Sequence, residues 1–268
     1  MEHGRLVKER LVSSLRTQRI GRTVEVFDDL DSTNRYVLDL PPDRALDGLV
    51  VLAEHQGAGK GRHGRSWHCP RGAGILCTVA LCCQPDELDA NLLSLVVPIA
   101  VCDGLHAATD VRCEIKWPND IVVNRRKLAG VLIESRPDAE ESTRYAVGFG
   151  INCLQHPGHF PPELRGRATS LDGESHRPIQ RADVLLSVLT ALDAWLARSD
   201  SWNPADIRAC WKERAWGLGE RIHVRHDGRL FAGNLIDIDP TAAILVQLDE
   251  GGRRLFHAAN TTISGHHA

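Results

Sequence analysis

No apolar run in this 268-residue chain approaches the roughly 20 residues that span a bilayer. The longest, residues 92–101, is interrupted by Ser94 and Pro98. Residues 1–10 are polar and charged, so no signal peptide is visible. Positive charge is not in excess: the net charge is −3 and the pI about 6.5. A dedicated nucleic-acid binder is normally basic, so that class starts at a disadvantage. The eight cysteines form no C-x-x-C pair and mostly sit in apolar surroundings. With no leader in view, they read as reduced, buried thiols of a cytoplasmic protein. The thirteen histidines lack the i, i+4 spacing of a zinc helix. Lysine is scarce: Lys8, Lys60, Lys116, Lys127 and Lys212 are five of the 32 cationic side chains. Lysine is a compact ammonium and arginine a planar fork, so a lysine kept in so arginine-rich a chain is a candidate for chemistry. Chance placement on a solvated face is the plain alternative.

What is present is the composition of a soluble globular protein, 43% hydrophobic and 25% charged. Its length suits one large domain or a large and a small one. Helical spacing at residues 5–19 predicts one amphipathic helix, with no room for a helix-turn-helix domain before the motifs that follow. Residues 22–27 alternate as a strand. Asp31 or Ser32 then caps a helix that Pro41-Pro42 ends. Strands are predicted at 49–53, 75–82, 111–116, 121–124, 128–135 and 145–151. Helices are predicted at 92–108, 182–197 and from Asn203-Pro204 to about 215. Residues 153–181 hold four prolines and read as irregular, with room for a mobile loop. From 220 onward, four short alternating segments are joined by Asp227-Gly228 and Glu250-Gly251-Gly252, which are hairpin signals. That pattern predicts a small SH3-like β-barrel. The division is 1–216 and 217–268.

Four motifs carry chemistry. In Gly57–Trp67, four glycines free backbone N–H groups, and Lys60, Arg62 and Arg65 supply positive potential. The loop suits a phosphate, or a carboxylate being joined to one. It is neither a P-loop nor a dinucleotide fingerprint, since a strand follows it. Trp67 either stacks on a base or fills the core. Lys116-Trp117-Pro118-Asn119-Asp120 crowds an ammonium, an amide and a carboxylate at a turn, where Asp120 balances Lys116, holds a metal or accepts ligand N–H groups. Lys127 begins an apolar strand, either at a pocket mouth or as a solvated strand end. Gly148 and Gly150 clear one face of a strand, for a flat ligand or for a close neighbour.

Together these stretches resemble the biotin–protein ligase, or biotin–[acetyl-CoA-carboxylase] ligase, family. The likeness runs through Asp31-Ser32-Thr33-Asn34, residues 53–56, Gly59 to Trp67, Lys116 to Asp120, residues 126–134 and Gly148 to Asn152, in the family's order. It implies an α+β fold: a class II synthetase-like mixed sheet flanked by helices, followed by the barrel. It also implies a two-step reaction, in which biotin and ATP give biotinyl-5′-AMP and the biotin then passes to a lysine of a biotin carboxyl carrier domain. By resemblance, Lys127, Arg62 and Arg65 are catalytic. Ser32, Thr33, Asn34, Gln56, Lys60, Gly61, Arg62, Lys127, Gly130, Gly148 and Gly150 bind biotin. Gly59, Gly64, Arg65, Trp67, Lys116, Asn119 and Asn152 bind ATP or the adenylate, with Trp67 bordering adenine. Mg²⁺ is expected with the ATP phosphates, with Asn119 and Asp120 as the nearby oxygen ligands. Some family members have arginine where this chain has Lys60. The repressor-type DNA-binding domain of bifunctional members has no counterpart, so neither DNA nor a membrane is expected as a partner, and a homodimer remains open. A lipoyl- or octanoyl-transferring enzyme is the same-fold alternative; a non-enzymatic biotin or nucleotide sensor is the other.

Overall fold

The computed structural model describes residues 5–138, 141–239 and 241–264. The first residues of the polar amino-terminal stretch and the last four of the expected barrel lie outside them. The large sheet has seven strands: β1 (Val24–Phe27), β2 (Val50–Ala53), β3 (Gly74–Cys83), β4 (Glu114–Lys116), β5 (Asp120–Val123), β6 (Arg126–Pro137) and β7 (Thr143–Asn152). Their spatial order is β1-β2-β3-β7-β6-β5-β4. Only β1 and β2 pair in parallel; the other neighbours are antiparallel, so the sheet is mixed.

Alternation along the strands assigns each residue to a face. On β7, Val147, Phe149 and Ile151 join the main core, while Ala146 belongs to a separate cluster on the opposite face. Over the core face lies helix α3 (Ala90–Thr109), against α5 (Arg181–Leu196) and α6 (Pro204–Lys212). By length and composition α3 would be able to cross a membrane, which corrects the expectation that no segment comes close. In this fold it is a core helix, with thirteen buried residues. Asn203 caps α6 with Pro204 at its first position, as predicted.

The opposite face carries the short helix α2 (Thr33–Asp39), capped by Ser32. The buried Arg144 holds its far end, donating to the carbonyls of Val37, Leu40 and Pro41 and pairing with Asp138. Strand register decides what meets α2. Thr78 of β3 lies opposite Gly148, and Gly148 opposite Leu132 of β6. In the next row Leu76, Gly150 and Gly130 align. Three glycines thus open a furrow beside the start of α2.

Helix α1 is shorter than its apolar spacing suggested, at Lys8–Ser14. The proline-rich segment 153–181 is built of short turns and the one-turn helix α4 (Leu171–Glu174). It is tied to the sheet where Ala168 bridges Lys127. The tail forms a five-stranded antiparallel sheet: β8 (Arg221–His226), β9 (Arg229–Ile238), β10 (Ile244–Leu248), β11 (Arg253–Phe256) and β12 (Thr261–Ser264), in the order β11-β10-β9-β8-β12. Strand β12 has no counterpart in the sequence reading, because its four residues lack a clear apolar alternation.

Candidate active site

The furrow has a polar end and a cationic end. At the polar end, Ser32, Thr33 and Asn34 are buried in the first turn of α2. The Thr33 N–H donates to Gln56 Oε1 at 2.7 Å, and Thr33 Oγ1 lies 3.0 Å from the same oxygen. Asn34 Nδ2 donates to the Leu132 carbonyl at 3.1 Å and to Glu134 Oε2 at 2.8 Å. The Thr78 hydroxyl sits 2.7 Å from both Thr33 Oγ1 and Asn34 Oδ1. Gly148 is required here: a Cβ on it would stand 2.0 Å from Asn34 Oδ1. Gly59 admits the Gln56 amide in the same way, at 2.9 Å.

The glycine loop folds back on itself. Lys60 bridges Ser66, Gly61 N–H donates to the Arg65 carbonyl at 2.6 Å, and Trp67 N–H to that of Gly59 at 2.9 Å. His63 (φ 55°) and Gly64 (φ 71°) make the left-handed turn at its tip. The Trp67 indole lies on the backbone of Gly150 and Gly130, where a Cβ would meet its ring at 2.5 and 3.2 Å. Its Nε1–H is buried without a partner among the described residues. Two clefts flank the loop. One, of about 570 Å³, is lined by Gln56–Gly59 and Ser66–Arg71 with Asp29 and His55. The other, of about 450 Å³, is lined by Lys60–Gly64, Leu132, Glu134 and Ala259.

At the cationic end, Lys127 Nζ is 2.5 Å from Asp120 Oδ1 and 5.3 Å from the Trp67 ring centre. Asp120 therefore pairs with Lys127 rather than Lys116. Lys116 stands 4.7 Å over the Trp216 ring. Burial lowers its pKa from the ordinary lysine value, and the charges of Arg167, Lys127 and Arg65 lower it further, while Asp120 opposes them. Burial likewise lowers the Arg62 pKa, with Arg65 adding to the effect and Asp120 opposing it. Asn119 is pinned to β6: its side chain donates to the Val131 carbonyl, and its own carbonyl accepts from Val131 N–H. The Asn152 amide is engaged by the Thr169 carbonyl and Gln155. The small β-sheet reaches the site twice, because Arg62 donates to the Ala258 carbonyl and Trp117 Nε1 to that of Ala242.

The family model for the Biotin/lipoate A/B protein ligase family matches residues 26–152, the span that holds all these motifs. The chain is 35% identical to the biotin--[acetyl-CoA-carboxylase] ligase of Paracoccus denitrificans, over 88% of this chain and 98% of that one. The chain is a member of the biotin–protein ligase family. Another member, the bifunctional ligase/repressor of Bacillus subtilis, is 30% identical over 95% of this chain and 78% of its own length. In fold, the chain is similar to the ligase of Aquifex aeolicus solved with biotin and ATP, at TM-score 0.77 and 24% identity, over 91% of this chain and all of that one.

For a biotin–protein ligase family member, the metal expectation needs a test on the residues present. Among the described residues no three His, Cys, Asp or Glu side chains are grouped to hold an ion. Asp120 is taken by Lys127 and surrounded by cations. The described residues thus group no set of carboxylates as a cage for Mg²⁺. Three residues escaped the sequence reading. Thr78 is a lone polar side chain in an apolar strand, which was its signal. Glu134 stood at the end of a recognised motif without a role. Arg167 had no signal: only the bridge from Ala168 to Lys127 brings it in.

Proposed function

We propose that this ligase activates biotin with ATP and passes it to a lysine of a biotin carboxyl carrier domain. The observation that carries the reading is the pairing of a fixed polar end with a cationic end along one furrow, in a chain that spans nearly all of a curated biotin--[acetyl-CoA-carboxylase] ligase. The biotin head group lies at Ser32, Thr33, Asn34 and Gln56, with Gly130, Gly148 and Gly150 forming a flat wall once the Asn34 amide and the Trp67 indole that cover it move aside. Lys60, Gly61, Arg62 and Lys127 meet the carboxylate. Gly59, Gly64, Arg65, Trp67, Lys116, Asn119 and Asn152 belong to the nucleotide side, joined by Arg167.

In the first step a biotin carboxylate oxygen attacks the α-phosphorus, and the bond to pyrophosphate breaks. Two anions must approach, so preorganised cations offset their repulsion and stabilise the charge that develops. Lys127 is the ammonium placed to contact both, moving from Asp120 to the reacting oxygens. In the second step the carrier's lysine amine attacks the acyl carbon. The amide forms, AMP leaves, and the amine's proton passes to solvent. Mg²⁺ belongs to the substrate, on the ATP phosphates. We read residues 1–216 as the catalytic part, 217–268 as the part that closes over it, and the cytoplasm as the compartment.

The test is intact-mass analysis of a purified carrier domain after incubation with the enzyme, biotin and ATP. The reading predicts one biotinyl addition, absent when the carrier's acceptor lysine is replaced. An unmodified carrier, or a DNA gel shift with no transfer, contradicts it.

A further inference from the structure

Gln155 lies just past the end of β7, outside the residues that the family model matches. It is 2% exposed. Its amide nitrogen has two partners: Nε2 donates to Asn152 Oδ1 at 3.0 Å and to Cys69 Sγ at 3.4 Å. Its amide oxygen has none among the described residues. The neighbours fix this orientation. Asn152 Nδ2 donates to the Thr169 carbonyl at 2.9 Å, which turns Asn152 Oδ1 toward Gln155. Exchanging oxygen and nitrogen on either amide would set two oxygens against each other. The Cys69 thiol donates to the Pro70 carbonyl, so its proton serves another acceptor.

A buried acceptor without a donor is costly, and this one adjoins the nucleotide side of the furrow. Asn152 pairs with Gly74 of β3, one row along from Gly150 and Leu76 on the same face. On Gly150 lies the Trp67 indole, whose Nε1–H is likewise buried and unpartnered. At Gly74, a Cβ would stand 3.4 Å from Gln155 Nε2 and 2.6 Å from Cys69 Sγ. Cys69 and Trp67 both line the 570 Å³ cleft. Gln155 is therefore one side chain behind the wall of that cleft, close to the indole assigned to the nucleotide.

We infer that Gln155 is a base-selecting residue, whose Oε1 accepts the exocyclic N–H of adenine when the Trp67 indole shifts to admit the nucleotide. The amide cannot turn to donate instead, because Asn152, itself held by Thr169, fixes its nitrogen. A purine with a carbonyl in place of that amine, as in guanine, sets two acceptors face to face. A purine with no substituent there leaves the oxygen unpaired, and a site built around a hydrogen bond rejects the analogue that lacks it. Asn152 contributes by orienting Gln155. The inference rests on the ATP reading above and adds to it the group that reads the base.

The experiment measures biotin-dependent pyrophosphate exchange with ATP or with purine riboside triphosphate, which lacks the exocyclic amine. Wild type is compared with Gln155→Met, beside thermal melts. In wild type the KM for purine riboside triphosphate is expected to lie roughly tenfold above that for ATP. In Gln155→Met the KM for ATP is expected to rise by about the same factor and the two nucleotides to differ less than about threefold, with the KM for biotin changed less than about twofold. A purely structural role weakens both nucleotides alike, so a ratio that stays as in wild type overturns the inference. If Gln155→Met does not fold, the wild-type comparison still decides: equal KM values for the two nucleotides overturn the inference alone. A wild type that shows no biotin-dependent exchange with ATP overturns the reading of the function, and this inference with it.

Discussion

Around Thr33, Asn34 and Thr78, polar atoms are buried between α2 and the sheet and held by one another at 2.7–3.1 Å. Around Lys127, Asp120 pairs with Lys127 and attracts Lys116 and Arg62, while Arg65 repels both of these and Arg167 repels Lys116. The first region is satisfied within itself. The second gathers positive charge of the kind a polyanion neutralises. Shape and hydrogen-bond pattern can be read at the first, because each partner is fixed before a ligand arrives. Charge is handled at the second, where flexible side chains on a glycine loop lose little by moving. Recognition and chemistry are thus assigned to different ends of one furrow, and substitutions should separate them.

The largest effect is expected from Lys127→Ala. Removing the cation at the reacting oxygens should cost about 2.7–4 kcal/mol, or 10²–10³ in the rate of pyrophosphate exchange. Lys127 is 37% exposed in its side chain, so the melting temperature should hardly change. Gly148→Ala breaks the other end. Its Cβ would displace Asn34, so stability should fall by about 1–3 kcal/mol in denaturant titrations, with the KM for biotin raised more than kcat is lowered. Trp117→Phe sharpens the comparison from outside the furrow. It removes the hydrogen bond to the Ala242 carbonyl and should cost about 0.5–1.5 kcal/mol in a thermal melt. The smallest effect is a shift in pH profile. Burial and neighbouring cations favour the neutral form of Lys116, so it loses its proton at lower pH than an ordinary lysine. The kcat/KM for ATP, which reports the free enzyme, should decline on the alkaline side before the usual lysine range. Lys116→Arg keeps its charge throughout and should move that limb upward.

The sequence made most of this site legible, for identifiable reasons. Apolar stretches located β3, β6 and β7, and the Ser32 cap located α2, so the elements carrying the polar end were in view. The scarcity of lysine singled out Lys60, Lys116 and Lys127 against an arginine background. What stayed hidden depends on register. Gly148 reads equally as room for a ligand or for a neighbour, and only its alignment with Thr78 and Leu132 shows that Asn34 enters there. The same holds for Trp67, whose indole covers Gly130 and Gly150. Register puts Asp120 directly opposite Lys116 on β4, yet its carboxylate pairs with Lys127 of β6, which only the side-chain geometry reveals. Arg62 and Ala258 are nearly 200 residues apart, a separation no local pattern bridges.

The most direct measurement is ATP–pyrophosphate exchange by the wild-type enzyme with biotin, lipoate or octanoate as the only acid. A fixed polar end fitted to the biotin head group, joined to a cationic end that does not discriminate among carboxylates, predicts exchange with biotin and background with the other two. Comparable exchange with lipoate or octanoate would show that the polar end does not select the substrate, and would contradict the account.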